Sequence, residues 1–350
     1  RVGTAKLPHF IIIDMKEEFL EQKKFVYFSR TLIKAIKKTI ENKQQVILFL
    51  NRRGFATNVN CPVCKYQLKC KHCDIVLTYH NSSERALCHY CNYEISIPQE
   101  CPVCKAENFK FLGIGTQRIE KVLSKLVPDA RVRRVDSDTM VSRKSYEEVF
   151  RDFGDKKIDV LLGTQMIAKG LDFPNVTLVG IIAADSGLQL PDFRCAERTF
   201  QLIVQVAGRS GRGKNPGIVI LQTFQTKHYA IETALKQDYE KFVKQELMFR
   251  KQLGYPPFGK LMRIIIDGQN EQKVEEKAKK LATLYDSTEI SILGPAPAPL
   301  TKIRNRYRYH IIIKAATYIL INKCAKIIKP YVKGQGALRV QFDIDPMSLL

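Results

Sequence analysis

Val160-Leu-Leu-Gly-Thr-Gln-Met-Ile-Ala-Lys-Gly-Leu-Asp-Phe-Pro174 begins as a short apolar run and breaks at Gly163 into a loop that closes on a proline. An apolar run of this length, bounded by turn formers, reads as a strand buried on both faces. Similar runs recur at Val46 to Leu50, Phe109 to Leu112, Arg131 to Val135, Leu178 to Ile182 and Ile218 to Leu221. Between several of them lie amphipathic helical patterns, one carried by Ile119, Val122, Leu123 and Leu126, another by Tyr146, Val149, Phe150 and Phe153. Strand and helix in alternation predict a parallel sheet covered by helices, an α/β domain. The loops at its strand ends are where such a domain keeps its chemistry.

Downstream, a predicted helix ends in Gln205-Val-Ala-Gly-Arg-Ser-Gly-Arg-Gly213. Arg209 and Arg212 are three apart, so a helix would project both guanidinium groups from one face. Two planar, permanently charged forks aimed together suit a phosphate chain whose charge grows during transfer. A bare RxxR more often marks a solvated basic helix; the flanking Gln205 and three glycines favour phosphate chemistry here. Gly208 to Asn215 also fits GxxxxGK, but Asn215 stands where a P-loop needs the hydroxyl of Ser or Thr, and the run precedes a strand instead of following one. It is not a phosphate-cradling P-loop, and no other segment of the chain supplies one.

Eight of the ten cysteines form four CxxC pairs: Cys61/Cys64, Cys70/Cys73, Cys88/Cys91 and Cys101/Cys104. Each pair places two sulfurs on a tight turn, the bite a tetrahedral zinc takes from a knuckle, so four pairs make two Cys₄ sites. A disulfide framework would need an oxidising compartment and a secretion route that the sequence does not show. Redox CxxC motifs come singly, in a βαβ setting. Sequential, interleaved and nested pairings all remain open, and spacing favours nesting. Residues 74 to 87, with Ile75, Leu77 and Tyr79 alternating before Asn81-Ser-Ser83, read as a hairpin that closes one site on Cys70, Cys73, Cys88 and Cys91. Cys61, Cys64, Cys101 and Cys104 then form the other, which brings the segment's two ends together so that it can sit inside a host domain. His72, His80 and His89 are left over as surface residues, and Cys195 and Cys324 read as core residues.

The chain has 350 residues, enough for two or three domains, and a formal charge of +22. Eight thiolates holding two Zn²⁺ would lower that to about +18. Nucleic acid is the leading partner of such a surface. No apolar run reaches the roughly 18 residues that span a bilayer, and there is no Trp and no basic amphipathic helix to favour a membrane surface. The first methionine, Met15, lies inside an already patterned stretch, so the sequence reads as a fragment whose N-terminal part is missing.

After Gln222 the pattern turns helical and charged up to Arg250, then bends at Gly254-Tyr-Pro-Pro-Phe-Gly259. The remainder reads as strand Leu261 to Asp267, helix Glu271 to Tyr285, strands Glu289 to Leu293 and Tyr307 to Lys314, helix Ala316 to Val332 and strand Ala337 to Phe342. That β-α-β-β-α-β order predicts a ferredoxin-like α+β domain. Within it, Thr301 to His310 follows a stiff Gly294-Pro-Ala-Pro-Ala-Pro299 linker and interleaves Arg304, Arg306 and Arg308 with Tyr307 and Tyr309. Such a run can neutralise phosphates while stacking on bases. The competing reading is that the tyrosines continue the core row of Ile311 and Ile313.

Taken together, Asn51-Arg-Arg-Gly-Phe55, Gly113-Ile-Gly-Thr-Gln117, Lys169-Gly-Leu-Asp-Phe-Pro174, Pro191-Asp-Phe-Arg194, Glu197-Arg198 and Gln205 to Arg212 resemble the second RecA-like motor lobe of superfamily 2 helicases. More closely they resemble the bacterial replication-restart helicases of the PriA family, the primosomal N′ proteins, whose most specific mark is an eight-cysteine insertion at this point. The resemblance covers nearly the whole chain. It implies a DNA-dependent ATPase unwinding duplex 3′ to 5′ at stalled or collapsed forks and assisting primosome assembly. It implies two structural Zn²⁺ with nested pairing, and ATP with Mg²⁺ in the whole protein. Arg209 and Arg212 would complete the ATP site from across a cleft, with Gly170, Asp172 and Gln205 coupling nucleotide to strand movement and Thr116 and Thr164 approaching DNA phosphates. Fork DNA, single-stranded-DNA-binding protein and other primosome proteins are the implied partners, in the bacterial cytoplasm with the nucleoid.

The implied domains are a join from a missing first lobe at 1–20, motor lobe 2 at 21–57 and 106–225, a two-zinc insertion at 58–105 and a C-terminal domain at 226–350. Without that first lobe this chain by itself should be inactive. The alternative is a non-catalytic zinc scaffold that binds fork DNA and recruits replication proteins.

Overall fold

In the computed structural model the apolar runs form one six-stranded, all-parallel sheet. Across it the strands run His9–Asp14, Ile218–Thr223, Val176–Ile182, Gln45–Leu50, Val160–Gly163, Val132–Val135. The structure describes residues 8–22, 26–50, 58–60, 68–71, 77–80, 85–87, 93–96, 98–105, 110–112, 116–136, 140, 143–164, 166–167, 173–190, 192–211, 216–285, 287–332 and 337–349.

Because side chains alternate along a strand, each run feeds two cores. On one face Val46, Leu48, Leu50, Leu162 and Leu178 pack against Leu32 and Ile36 of the helix Arg30–Glu41 and Ile119 and Leu123 of the helix Thr116–Leu126. On the other, Ile47, Phe49, Leu161, Val179 and Val219 meet Val149, Phe150 and Phe153 of Arg143–Gly154 and Phe200 and Ile203 of Cys195–Ala207. Gly180 permits a close approach of helix to sheet: a Cβ there would lie 2.6 Å from Leu48 Cδ2 and 3.1 Å from Leu32 Cδ1, both in the packed core.

Buried glutamines staple chain ends to this sheet. Gln222 accepts from Ser29 N at 2.8 Å and donates to the Tyr27 carbonyl at 2.9 Å, while the Ser29 hydroxyl caps the helix Arg30–Glu41. Gln45 donates to the carbonyls of Phe153 and Ile158, closing the turn behind Arg143–Gly154. At the sheet edge Arg131 holds Asp159 through its main-chain N–H and two guanidinium nitrogens, and these contacts lower the Asp159 pKa.

The chain divides into two units. The first comprises Arg1–Phe55, Ile114–Leu190 and Cys195–Val243; the second, Ala56–Gly113, Pro191–Arg194 and Lys244–Leu350. Three sequence expectations change here. His9–Asp14, expected only as a join, is an edge strand paired along its length with Ile218–Thr223. The first unit runs to Val243 instead of 225, because Ala230, Ile231, Ala234 and Phe242 belong to its core. Lys110–Leu112, read as a strand of the α/β sheet, pairs instead with Asn58–Asn60, so the two ends of the cysteine-rich segment lie side by side.

That segment is a five-stranded antiparallel sheet in the order Glu94–Ser96, Arg85–Leu87, Thr78–His80, Asn58–Asn60, Lys110–Leu112. Thr78–His80 and Arg85–Leu87 form the expected hairpin. The C-terminal sheet, also antiparallel, is ordered Ile290–Ile303, Arg306–Ala315, Lys260–Gly268, Arg339–Ile344, with the helices Glu271–Ala282 and Tyr318–Ile328 against one face. This is the ferredoxin-like order. The proline-rich stretch expected as a linker lies inside the strand Ile290–Ile303. It is tolerated because that strand is at the sheet edge and its register shifts between Leu293 and Ala296 and between Pro297 and Lys302.

Replacing Gln222 by Leu leaves the Ser29 N–H and the Tyr27 carbonyl buried without that partner. Urea denaturation should report a loss of about 2–4 kcal/mol, the sum of two orphaned groups. For Asp159, whose folded pKa is depressed, the stabilisation is full above the ordinary carboxylate pKa of about 4 and is lost as pH falls through the folded value. Asp159→Asn should therefore flatten the acid limb of the stability curve recorded by thermal melts from neutral to acid pH.

Candidate functional site

The loop that follows Val160–Gly163 is gripped at both ends by one helix. At its start the Tyr146 hydroxyl of Arg143–Gly154 donates to the Met166 carbonyl at 3.1 Å. At its end Phe173 stacks on Phe150, with ring centroids 6.0 Å apart, and meets Phe153 edge-on at 4.7 Å. Tyr146, Phe150 and Phe153 follow a helical spacing, so one face supplies all three grips. Gly163 is obligatory at the strand end, since a Cβ there would sit 2.5 Å from the Val135 carbonyl oxygen. Thr164 follows directly, half-buried, and its carbonyl accepts from Ile167 N. Gly170 and Asp172 lie outside the described residues, as do the residues of Asn51 to Phe55.

Arg209 belongs to the same neighbourhood. Burial raises the Tyr146 phenol pKa and the charge of Arg209 lowers it, so the guanidinium is within electrostatic reach of the ring that holds the loop. The helical-face argument for the arginine pair does not survive. The helix Cys195–Ala207 stops before Arg209, and Arg209 N and Ser210 N bond instead to the carbonyls of Val206 and Ala207. Gly211 then turns at φ +73° against Gly217, where a Cβ would meet the Gly217 nitrogen at 2.5 Å. The glycines end the helix, and Arg212 falls outside the described residues. Gln205 is exposed on the last helical turn.

Of the eight paired cysteines the structure describes Cys70, Cys101 and Cys104; Cys61, Cys64, Cys73, Cys88 and Cys91 lie outside it, as do His72 and His89. Cys101 is buried, and its carbonyl accepts from Lys105 N at 2.9 Å with Lys105 left-handed at φ 58°. A tight reverse turn carrying Cys101 and Cys104, in a segment with four CxxC pairs, fits the bite of a zinc knuckle. Cys324 is a core residue whose burial pushes its thiol to about 11.

In the C-terminal sheet Tyr309 is 8% exposed and part of the core with Ile311 and Ile313, so the core-row reading holds for it. Arg306 pairs with Asp267 and donates to the Ala337 carbonyl, which binds that arginine into the fold. Arg304 sits exposed in the two-residue turn with Asn305, both at positive φ, and Arg308 is half-buried, its Nη1 3.5 Å from the Leu300 carbonyl. Thr116 begins the helix Thr116–Leu126.

Sequence reasoning saw Tyr146, Phe150 and Phe153 as packing only. It missed Asp185 as well, which is 2% exposed just after Ala183 turns left-handed at φ 51° and whose Oδ1 has no hydrogen-bond partner among the described residues.

A parallel sheet whose strand-end loop is tied beside an arginine, a cysteine-rich antiparallel insertion and a ferredoxin-like C-terminal domain define the second motor lobe of a helicase with its appendages. Known families follow the same division. Residues 106–214 match the helicase conserved C-terminal domain, 70–95 the PriA DNA helicase Cys-rich region and 251–347 the primosomal protein N C-terminal domain. The replication restart protein PriA of Bacillus subtilis is 40% identical over 356 residues, covering 100% of this chain and 44% of its own length. That of Chlamydia trachomatis is 40% identical over 353 residues, covering 99% of this chain and 47% of its own. The chain belongs to the PriA family, and it spans somewhat under half the length of these relatives. Among solved structures, yeast Dbp5 bound to RNA and ADP BeF3 covers 64% of the chain and 42% of its own at 13% identity and a TM-score of 0.30, too low to add to the sheet order.

Phe173→Ala should release the loop's far end. The expected readouts are a stability loss of about 3 kcal/mol, at the low end for a packed phenylalanine, and faster amide exchange at Val176, which donates to the Phe173 carbonyl.

Proposed function

We propose that this chain is the second motor lobe, zinc module and C-terminal domain of an ATP-dependent DNA helicase that unwinds 3′ to 5′ and restarts stalled or collapsed replication forks. The observation that carries the reading is the helix Arg143–Gly154, which grips both ends of the Gly163–Pro174 loop while Arg209 lies within electrostatic reach of Tyr146. A phosphate drawn to the permanently charged Arg209 would alter the field where the loop is held, which is the coupling a motor needs between nucleotide and track.

In this reading Arg209 and Arg212 reach the phosphates of an ATP held with Mg²⁺ by another lobe, where fixed cationic forks stabilise charge growing on the transferred group. Gly170, Asp172 and Gln205 relay that state, and Thr116 and Thr164 meet DNA phosphates. Arg304 and Arg308 remain candidate DNA contacts, with Arg306 a weaker one because Asp267 already neutralises it. The eight paired cysteines hold two structural zinc ions, nested, with Cys61, Cys64, Cys101 and Cys104 on the outer one. Single-stranded-DNA-binding protein and other primosome proteins are the fitting partners, in the bacterial cytoplasm.

The 350-residue chain alone should hydrolyse ATP negligibly even with DNA present; robust turnover would refute the shared-site account. In the whole protein, Arg209→Ala and Arg212→Ala should each lower DNA-stimulated kcat by about 10³-fold, the low end for a transferred-phosphate arginine. Metal analysis should find two zinc ions per chain. The double variant Cys61→Ser/Cys101→Ser should keep one of them, and retention of none would exclude nesting.

A further inference from the structure

Within the second unit, two lysines meet where the cysteine-rich segment touches the C-terminal hairpin. Lys302 Nζ lies 3.4 Å from the Lys71 carbonyl and 3.4 Å from the Tyr307 hydroxyl, 4.6 Å above the centre of the Tyr307 ring. Lys71 in turn places its Nζ 4.7 Å over the Tyr93 ring. Neither lysine has a carboxylate partner among the described residues. The acids on the neighbouring strands are committed elsewhere, Asp267 to Arg306 and Asp343 to Arg263. Farther along the strand Arg306–Ala315, Arg308 and His310 alternate onto the opposite face of the sheet from Tyr307. The buried Nδ1 of His310 has no hydrogen-bond partner among the described residues, and burial, Arg263 and Arg308 together hold its pKa down.

Two lysines without a carboxylate partner, joined through the Lys71 carbonyl, suit a polyanion lying across them. The alternation narrows the choice of polyanion. Each lysine stands on a tyrosine ring, so a phosphate that draws the ammonium outward uncovers a ring face on which an unpaired base can stack. Duplex DNA offers phosphates but no free base faces, and an acidic peptide would satisfy the lysines while leaving the rings unused.

We propose that Lys71 and Lys302, standing on Tyr93 and Tyr307, form a seat for a single nucleic-acid strand that passes from the cysteine-rich segment onto the C-terminal hairpin. The proposal rests on the DNA reading above and gives one ligand to two pieces of the chain that are 231 residues apart in sequence.

The test uses the zinc-loaded 350-residue chain and a fluorescein-labelled oligothymidine, with anisotropy titrations at several salt concentrations. Lys71→Ala and Lys302→Ala should each weaken binding about fivefold and reduce the slope of log K against log salt by about 0.7, the single-strand value for one phosphate contact. Lys302→Arg should restore the slope. Tyr307→Leu should weaken binding while leaving the slope unchanged, and Lys157→Ala, an ion-paired lysine of the other unit, should alter neither. If wild type binds and both alanine variants keep its slope, the seat is refuted while the DNA reading stands. If wild type binds oligothymidine at no salt concentration, the DNA reading falls and the seat with it. Equal competition by polyglutamate and by unlabelled oligothymidine would refute the strand in favour of an acidic protein partner.

Discussion

A parallel sheet has no face to spare for water. Crossover connections put helices on both sides of it, so every strand must be apolar on both faces, and chemistry is displaced to the loops at the strand ends. In this chain Val160–Gly163 sits in the interior of such a sheet with all four residues buried. Its end is consequently fixed in space to within the packing tolerance of the core. The loop that follows starts from a rigid post, and the helix Arg143–Gly154, itself packed through Val149, Phe150 and Phe153, can hold both ends of it. Arg209 is brought to the same place by the helix that covers the same face.

Glycines show how little room that packing leaves. Gly163 faces a backbone carbonyl and Gly217 faces the turn at Gly211, whereas Gly180 faces side chains alone. The first two are fixed by main chain, which cannot move without moving a strand. The third is fixed by leucines whose rotamers are locked in the core, so relief there would cost roughly what overpacking a core costs, about 1–3 kcal/mol. The glutamines act in the opposite sense. Gln222 and Gln45 are buried polar groups tolerated in the apolar interior because each satisfies two main-chain groups that would otherwise be orphaned.

The second unit follows a different logic. Its two sheets are antiparallel. The C-terminal one is covered by helices on one face, and its opposite face carries Arg263, Arg308 and His310. Alternation along Arg306–Ala315 separates Tyr309, which joins the core, from Arg308 and His310, which do not. A run that looks uniformly basic and aromatic in sequence is thus sorted by the pleat into a structural row and a polar row.

The sequence by itself determined the fold class, most of the order of strands and helices along the chain and the eight-cysteine module. Hydrophobic period, glycine and proline punctuation and CxxC spacing are local signals, and local signals survive into structure. It also located the strand-end loops, because these follow from strand position. Only the tertiary structure decided that Lys110–Leu112 pairs with Asn58–Asn60, that the proline-rich stretch is an edge strand and that Arg209 stands beyond the end of its helix. It alone decided that Arg306 is bound by Asp267 and that Lys302 reaches Lys71. Each of these depends on partners between 12 and 231 residues away, or on a glycine turn closing against another glycine. Such contacts leave no periodic trace, since the residues on either side of them are chosen for their own strands and helices.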